Sequence, residues 1–360
     1  MPYVHVPCQG LTQYLEKVFE RCGFSEQNSH DIVDVLITAD LFGIESHGVQ
    51  RLIRYYKAIK TGDIDPLATM TPIVSTGVSR VYDAPKTMGQ VVAKAAMKEA
   101  VSMARENGVG SVCVRGSNHY GIAGYYTLMA AQEDMLGISM TNTEAIAIPT
   151  FGKKAMLGTS PIALCMPADP TPFWYDAATT VVTRGKLEVY KKRQNPLVEG
   201  WAADETGSVS TDANRVLENI IGKKGGGIFP LGGATEETGS HKGYGLGVIV
   251  ELFTAIFAGG TTAPHVRNSG NADTSFSMWA IDYGMFGDKA DIKARFSHLL
   301  EELRQSPKAE GRERIFIHGE KEFASRERIT QMGVPVNEVT LDEIRAIGRE
   351  KGVELEAYIR

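Results

Sequence analysis

Cysteine is scarce in this sequence: 4 in 360 residues. Cys8, Cys22, Cys113 and Cys165 stand far apart with no C-x-x-C pair, which excludes a disulfide scaffold and a cysteine-based zinc site and predicts reduced thiols. No apolar run is long enough to span a bilayer, and the opening "MPYVHVPCQG" has no apolar segment behind a basic start, so a soluble, cytoplasmic chain with no membrane partner is expected. Charge of one sign is lacking too. The formal net charge is -5 and the one basic clump, "YKKRQNP" at 190–196, is short, so no nucleic-acid partner is expected. Metal-ligand spacings are absent, H-x-x-x-H and H-E-x-x-H among them, and no metal is expected. Neither a Walker A loop nor a G-x-G-x-x-G between strand and helix occurs, which argues against a Rossmann nucleotide site. Ser46, His47 and Asp176 supply the residue types of a hydrolase triad, but the G-x-S-x-G elbow that would present the serine is missing.

What the sequence does have is an ordinary globular composition, 43% hydrophobic and 22% charged, enough for two domains with a sizeable core. Apolar residues recur at three- and four-residue spacing from Leu11 to Cys22 and from Glu26 to Leu41, predicting two amphipathic helices. "RLIRYYKAI" continues helical after Gly48. The run "MGQVVAKAAMKEAVSMAREN" from 88 predicts a helix lined with small residues. "VGSVCVRG" from 109 reads as a buried strand that leads straight into "SNHYG", followed by a helix and by the strand "LGISMTN". The 149–230 stretch is turn-rich, with one helix near Arg184 to Lys192. "KGYGLGVIVELFTAIFAGG" from 242 predicts an apolar helix closed by a glycine pair. The tail predicts a strand pair around "RIFIHGE" and a last helix opened by the capping box "TLDE" at 340–343.

Three of the 8 histidines sit in polar, glycine-rich surroundings. In "GIESHGVQR" (43–51) a Ser-His pair precedes Arg51. Histidine exchanges protons near neutrality and arginine presents a planar fork to a carboxylate. Arg51 and Tyr55, four apart, share a helix face, so the segment fits a small carboxylate-bearing substrate. The competing reading has Ser46 capping a helix and the arginines facing water. In "SNHYGIAG", His119 lies at a strand-to-helix junction, where proton transfer or simple backbone bonding are both open. "GSHKGYGLG" (239–247) combines glycines, Lys242 and a helix start, as an anion site would, or serves close packing only.

Taken together and in order, "ADLFGIESHGVQRL", "VRGSNHYGIAGYY", "MTNTEAIAIPTFGKKAMLGTSPIAL", "YDAATT", "GWAADETG", "PLGG" and "GSHKGYGLGVIVELF" resemble the type-2 malate/L-lactate dehydrogenase family over about residues 10 to 285. The resemblance implies an α/β fold that is not Rossmann: a largely antiparallel sheet domain binding NAD or NADP (116–285), beside a helical substrate domain built from both chain ends (1–115, with 286–360 returning to it). It implies a homodimer and a reversible hydride transfer between the nicotinamide and a small 2-oxo or 2-hydroxy acid, with oxaloacetate/malate in first place. Lactate, sulfolactate, diketogulonate or a cyclic imino acid are the alternatives, and a non-enzymatic NAD(P)- or anion-binding protein is the alternative of another class. By resemblance the catalytic residues are His119, His47 and Ser46, with His119 first as proton donor. Arg51 and Tyr55 bind the substrate. The cofactor lies along His119, Tyr120 and Gly121, then Thr141, Asn142 and Thr143, then Asp176, Ala177 and Ala178, and finally His241, Lys242 and Gly243. Two departures stand out. Many relatives read T-N-P where this chain has "TSP" at 159–161, and D-M-A-T where it has "DAAT" at 176–179.

Overall fold

Leu11, Leu15, Val18 and Phe19 recur along the Cys8–Arg21 helix and are fully buried. The second helix, Glu26–Leu41, is opened by Ser25, whose side chain accepts the Asn28 N–H. Their apolar faces meet Ile329, Val334, Leu341 and Ile344 from the tail in one core, so burial of these stripes joins the two chain ends. The strand Tyr3–Val6 pairs antiparallel with Val334–Asn337. This is a computed structural model, and it describes residues 3–266 and 272–359.

The central sheet has seven strands in the order Thr71–Ser75, Ser79–Asp83, Val109–Ser117, Thr274–Ile281, Leu136–Thr141, Ile162–Met166, Phe173–Ala177. All neighbours are antiparallel except Ser79–Asp83 with Val109–Ser117, which the Gly89–Asn107 helix connects as a crossover. Small residues allow that helix close approach. A Cβ on Gly110 would lie 2.0 Å from the Ala100 carbonyl oxygen, while Ala93, Ala96, Ala100 and Ala104 are all fully buried. The expected non-Rossmann α/β architecture is therefore present. The sheet nevertheless takes in three strands that begin before residue 116.

Three local expectations need correcting. "RIFIHGE" forms no strand pair; Arg304, Arg314 and the Ile317 N–H all converge on the Glu320 carboxylate, which pins the segment as a loop leading into the Glu320–Met332 helix. The last helix begins at Glu338, two residues before "TLDE", because the Asn337 side chain accepts the Val339 N–H. A further helix, Ala213–Gly222, lies in the turn-rich middle, capped by Asp212 accepting from Asn214 and Arg215. The Arg184–Lys192 helix forms as expected. The apolar helix runs Ser240–Glu251 and passes into a π-helical turn, Leu252–Ile256.

Candidate active site

Helical packing places two loops against each other. The first follows the Glu26–Leu41 helix and consists of two 3-10 turns, Glu45–His47 and Val49–Arg51, that run into the Leu52–Thr61 helix. The Arg51 Nε–H bonds the Ser46 carbonyl. The second leaves the strand Val109–Ser117. Asn118 anchors it by donating to the carbonyls of Asp63 at 3.1 Å and Thr87 at 3.0 Å. Gly89 packs so tightly under it that a Cβ would stand 2.3 Å from the Asn118 carbonyl oxygen and 2.5 Å from that of His119.

His47 and His119 consequently stack, with ring centroids 5.4 Å apart and planes 23° apart. The Ser46 hydroxyl bonds His47 Nδ1 at 2.9 Å and caps no helix, so the sequence alternative of a capping serine is excluded. The Tyr55 hydroxyl bonds His119 Nδ1 at 2.7 Å. A hydroxyl donates or accepts, so Tyr55 serves the neutral ring and the imidazolium alike. The Gly121 N–H also faces Nδ1, at 3.3 Å, and favours the neutral ring. Nε2 of His119 is left with no bonded partner among the described residues.

These groups border a cavity of about 490 Å³. Ser46, His47, Arg51, His119, Tyr120 and Gly121 line it on one side, and Thr141, Asn142, Thr143, Asp176, Ala177 and Ala178 on the other. Tyr55 is buried behind His119. His241, Lys242 and Gly243 lie outside this lining. The first two are exposed on the opening turn of the Ser240–Glu251 helix, and Gly243 is packed against the Leu231 backbone, where a Cβ would meet the carbonyl oxygen at 2.3 Å. The sequence reading missed part of the wall. Arg54, Glu144, Arg184 and Glu188 also line the cavity, with Arg184 bonded to Glu188 at 3.0 Å and to Glu144 at 3.4 Å. The four-residue spacing of Arg184 and Glu188 marks a helical ion pair but carries no signal that the pair borders a cavity.

Charge in the cavity follows from burial. Both histidines face its interior and so keep some exposure, yet protein surrounds them on every other side. Desolvation, reinforced by Arg51 and Arg54, lowers His47 to about 3. Burial, then Arg54, His47 and Arg51, hold His119 well below the ordinary value. Burial also lowers Arg54, although a guanidinium stays charged. Asp176 is raised to about 6 by burial, partly opposed by the Gly124 N–H it accepts at 2.7 Å. The chain thus offers two guanidinium groups beside two neutral imidazoles, an arrangement that attracts a small anion and can hand it a proton.

The remaining lining fits a nicotinamide nucleoside. Ala177, Ala178 and Pro161 give the lining an apolar stretch against which a ring can pack, and the threonines at 141, 143, 159 and 183 supply hydroxyls suited to an amide and a ribose. Ser160 has a φ of 39°, uncommon for a residue other than glycine, and its buried hydroxyl has no hydrogen-bond partner among the described residues.

A family model described as malate/L-lactate dehydrogenase matches residues 6–345, further into the tail than the sequence motifs reach. The malate dehydrogenase of Pyrococcus abyssi is 42% identical over 98% of this chain and 96% of its own. The L-sulfolactate dehydrogenase of Methanocaldococcus jannaschii is 34% identical over 95% and 96%. The solved structure of malate dehydrogenase from Pyrococcus horikoshii OT3 superposes with a TM-score of 0.89 at 38% identity, covering 98% of this chain and 97% of that one. Fold, motif order and near full-length similarity agree, and the chain belongs to the malate/L-lactate dehydrogenase family.

Proposed function

We propose that this chain reduces oxaloacetate to malate, reversibly, with NADH or NADPH. The observation that carries the choice of a dicarboxylate is the pair Arg51 and Arg54. Both line the cavity, and the charge of each bears on His119, with the Glu144 carboxylate acting on Arg54 from the same wall. Arg51 takes the carboxylate beside the reacting carbon and Arg54 the distal one, each through charge-assisted hydrogen bonds. When bound, the nicotinamide supplies the hydride. His119 gives the Nε2 proton of its imidazolium to the carbonyl oxygen as charge develops there, while its Nδ1–H is held by the Tyr55 oxygen. Binding an anion beside Arg51 and Arg54 offsets two of the charges that keep His119 neutral, so protonation accompanies substrate binding. The names of the relatives, malate and sulfolactate dehydrogenases, support a substrate with two acidic groups.

The role of Arg54 is checked by comparing oxaloacetate with pyruvate. Arg54→Gln is expected to lower the ratio of kcat/KM for oxaloacetate to that for pyruvate by about 10- to 100-fold, the value of one hydrogen-bonded charge, since the effect of Arg54 on His119 falls on both acids alike. Equal losses on both acids would remove Arg54 from substrate recognition.

We further infer a division of labour. The sheet unit holds the cofactor through Tyr120, Gly121, Thr141 to Thr143 and Asp176 to Ala178. The helical unit from both chain ends presents Ser46, His47, Arg51 and Tyr55. The reading of a homodimer is supported by an apolar face on the helix and turn spanning 240–257, where Leu246, Val248, Ile249, Leu252, Ile256 and Phe257 are exposed together. Sedimentation should give twice the chain mass of 39.2 kDa; a 39.2 kDa species at assay concentrations would contradict it. A cytoplasmic location is supported by the four free cysteines, and no helix among the described residues is long and apolar enough to cross a membrane.

A further inference from the structure

Asp40 is a buried carboxylate outside the cavity, on the last turn of the Glu26–Leu41 helix and only 4% exposed. No cation pairs with it among the described residues. Burial pushes it up to about 8, helped by Glu45 and opposed by the Val49 N–H. A lone buried carboxyl group is costly unless it is hydrogen-bonded, and this one is: Oδ2 accepts the Val49 N–H at 2.7 Å. Val49 opens the 3-10 turn that delivers Arg51, so the carboxyl group acts there as a cap supplied by a different helix. The approach is possible only because residue 48 has no side chain. A Cβ on Gly48 would stand 1.8 Å from Asp40 Oδ1 and 2.1 Å from Cγ, far inside van der Waals contact. Two backbone bonds, Gly43 N–H to the Asp40 carbonyl at 2.9 Å and Ile44 N–H to that of Ala39 at 2.8 Å, fix the other end of the same loop.

We propose that Asp40 and Gly48 are a positioning pair: the carboxyl group of one, seated against the bare backbone of the other, sets where Ser46, His47 and Arg51 stand in the cavity. The glycine of the Ser-His-Gly triplet is thereby explained by contact and not by backbone freedom, since its φ is -83°. This inference rests on the reading that the 45–51 loop holds the reacting acid. Asp40 touches no substrate and acts only through the loop.

The test is a double-mutant cycle on oxaloacetate reduction, with nicotinamide binding and melting temperature measured on the same samples. Gly48→Ala should raise KM for oxaloacetate and lower kcat/KM by about 100-fold, since displacements of about 1 Å cost that much, while the Kd for NADH or NADPH stays unchanged. Asp40→Ala should cost about 10-fold or more. In the Asp40→Ala background, Gly48→Ala should add little, because the new methyl group enters vacated space; the two losses are then strongly non-additive. Asp40→Asn keeps an acceptor for Val49 and should recover most of the efficiency that Asp40→Ala loses. Should Gly48→Ala not fold, the comparison of Asp40→Asn with Asp40→Leu decides, since only the leucine variant should raise KM for the acid. Additive losses, or a lowered melting temperature with unchanged kinetic constants, would overturn the pair. Arg51→Gln assayed in parallel separates the two ways of failing: an Arg51 variant with unchanged oxaloacetate KM would sink the substrate-loop reading and the pair with it, whereas a strong Arg51 effect beside additive Asp40 and Gly48 effects would sink the pair alone.

Discussion

Replacing His119 by alanine is expected to lower kcat for oxaloacetate reduction by about two to four orders of magnitude, the usual contribution of a positioned general acid. The geometry gives the reason. Tyr55 holds Nδ1 at 2.7 Å, so Nε2 is the atom left to face the cavity. His47 has its Nδ1 tied to the Ser46 hydroxyl and stacks on His119, while burial with Arg54 and Arg51 keeps His119 neutral. An alanine variant with wild-type kcat would transfer the proton role to His47.

A pH dependence follows from the same arrangement. Because the folded enzyme holds His119 well below the ordinary histidine value of 6.5, the imidazolium needed for reduction is a minor form at neutral pH. Raising the pH depletes it further. The kcat/KM for reduction should therefore fall about 10-fold per pH unit through neutrality, while kcat/KM for malate oxidation, which needs the neutral ring, should hold level as the pH drops through 6.5. Arg54 is the largest charged contributor to the depression. Arg54→Gln should accordingly move the reduction profile toward higher pH, and a profile that does not move would separate Arg54 from His119.

Arg51→Gln is expected to raise the oxaloacetate KM by about 10- to 150-fold, corresponding to the 1.5–3 kcal/mol of a hydrogen bond to a charged group, and to raise the pyruvate KM by a similar factor. Both acids lose together because Arg51 serves the carboxylate they share. This contrasts with Arg54, whose loss should fall more heavily on the dicarboxylate. The Arg51 Nε–H is already committed to the Ser46 carbonyl, which orients the guanidinium and leaves its terminal nitrogens for the ligand. Steady-state constants for the two acids with each variant check the distinction, and a change in kcat alone would show that Arg51 acts in the proton step.

Much of this site was legible before any coordinates. The helical period that buries Leu11, Leu15 and Val18 also predicted the first helices, and the strand delivering His119 was readable from its apolar run. The three- and four-residue arithmetic of Arg51 and Tyr55 placed both near the site, but their roles differ. Arg51 lines the cavity, whereas Tyr55 reaches it through His119, a contact across 64 residues that no local period encodes. Arg184 and Glu188 escaped notice for the same reason, since only the fold brings their helix to the cavity rim. "RIFIHGE" has the short β-branched and aromatic run of a strand, but three donors converging on Glu320 decide its shape. The glycines of "GSHKGYGLG" read equally as anion site or packing surface, and for Gly243 the structure shows packing against Leu231.

The proposed reaction in this cavity is reduction of a 2-oxo dicarboxylate at the expense of a reduced nicotinamide. Its most direct test follows the absorbance of NADH and NADPH, separately, with purified protein against oxaloacetate, pyruvate, a sulfonated 2-oxo acid, 2,3-diketogulonate and a cyclic imine. The highest kcat/KM is expected with oxaloacetate, the sulfonated acid next and pyruvate well behind, in the order of their charges. Pyruvate or the cyclic imine turning over faster than oxaloacetate, or no turnover on any of them while the nicotinamide binds, would contradict it.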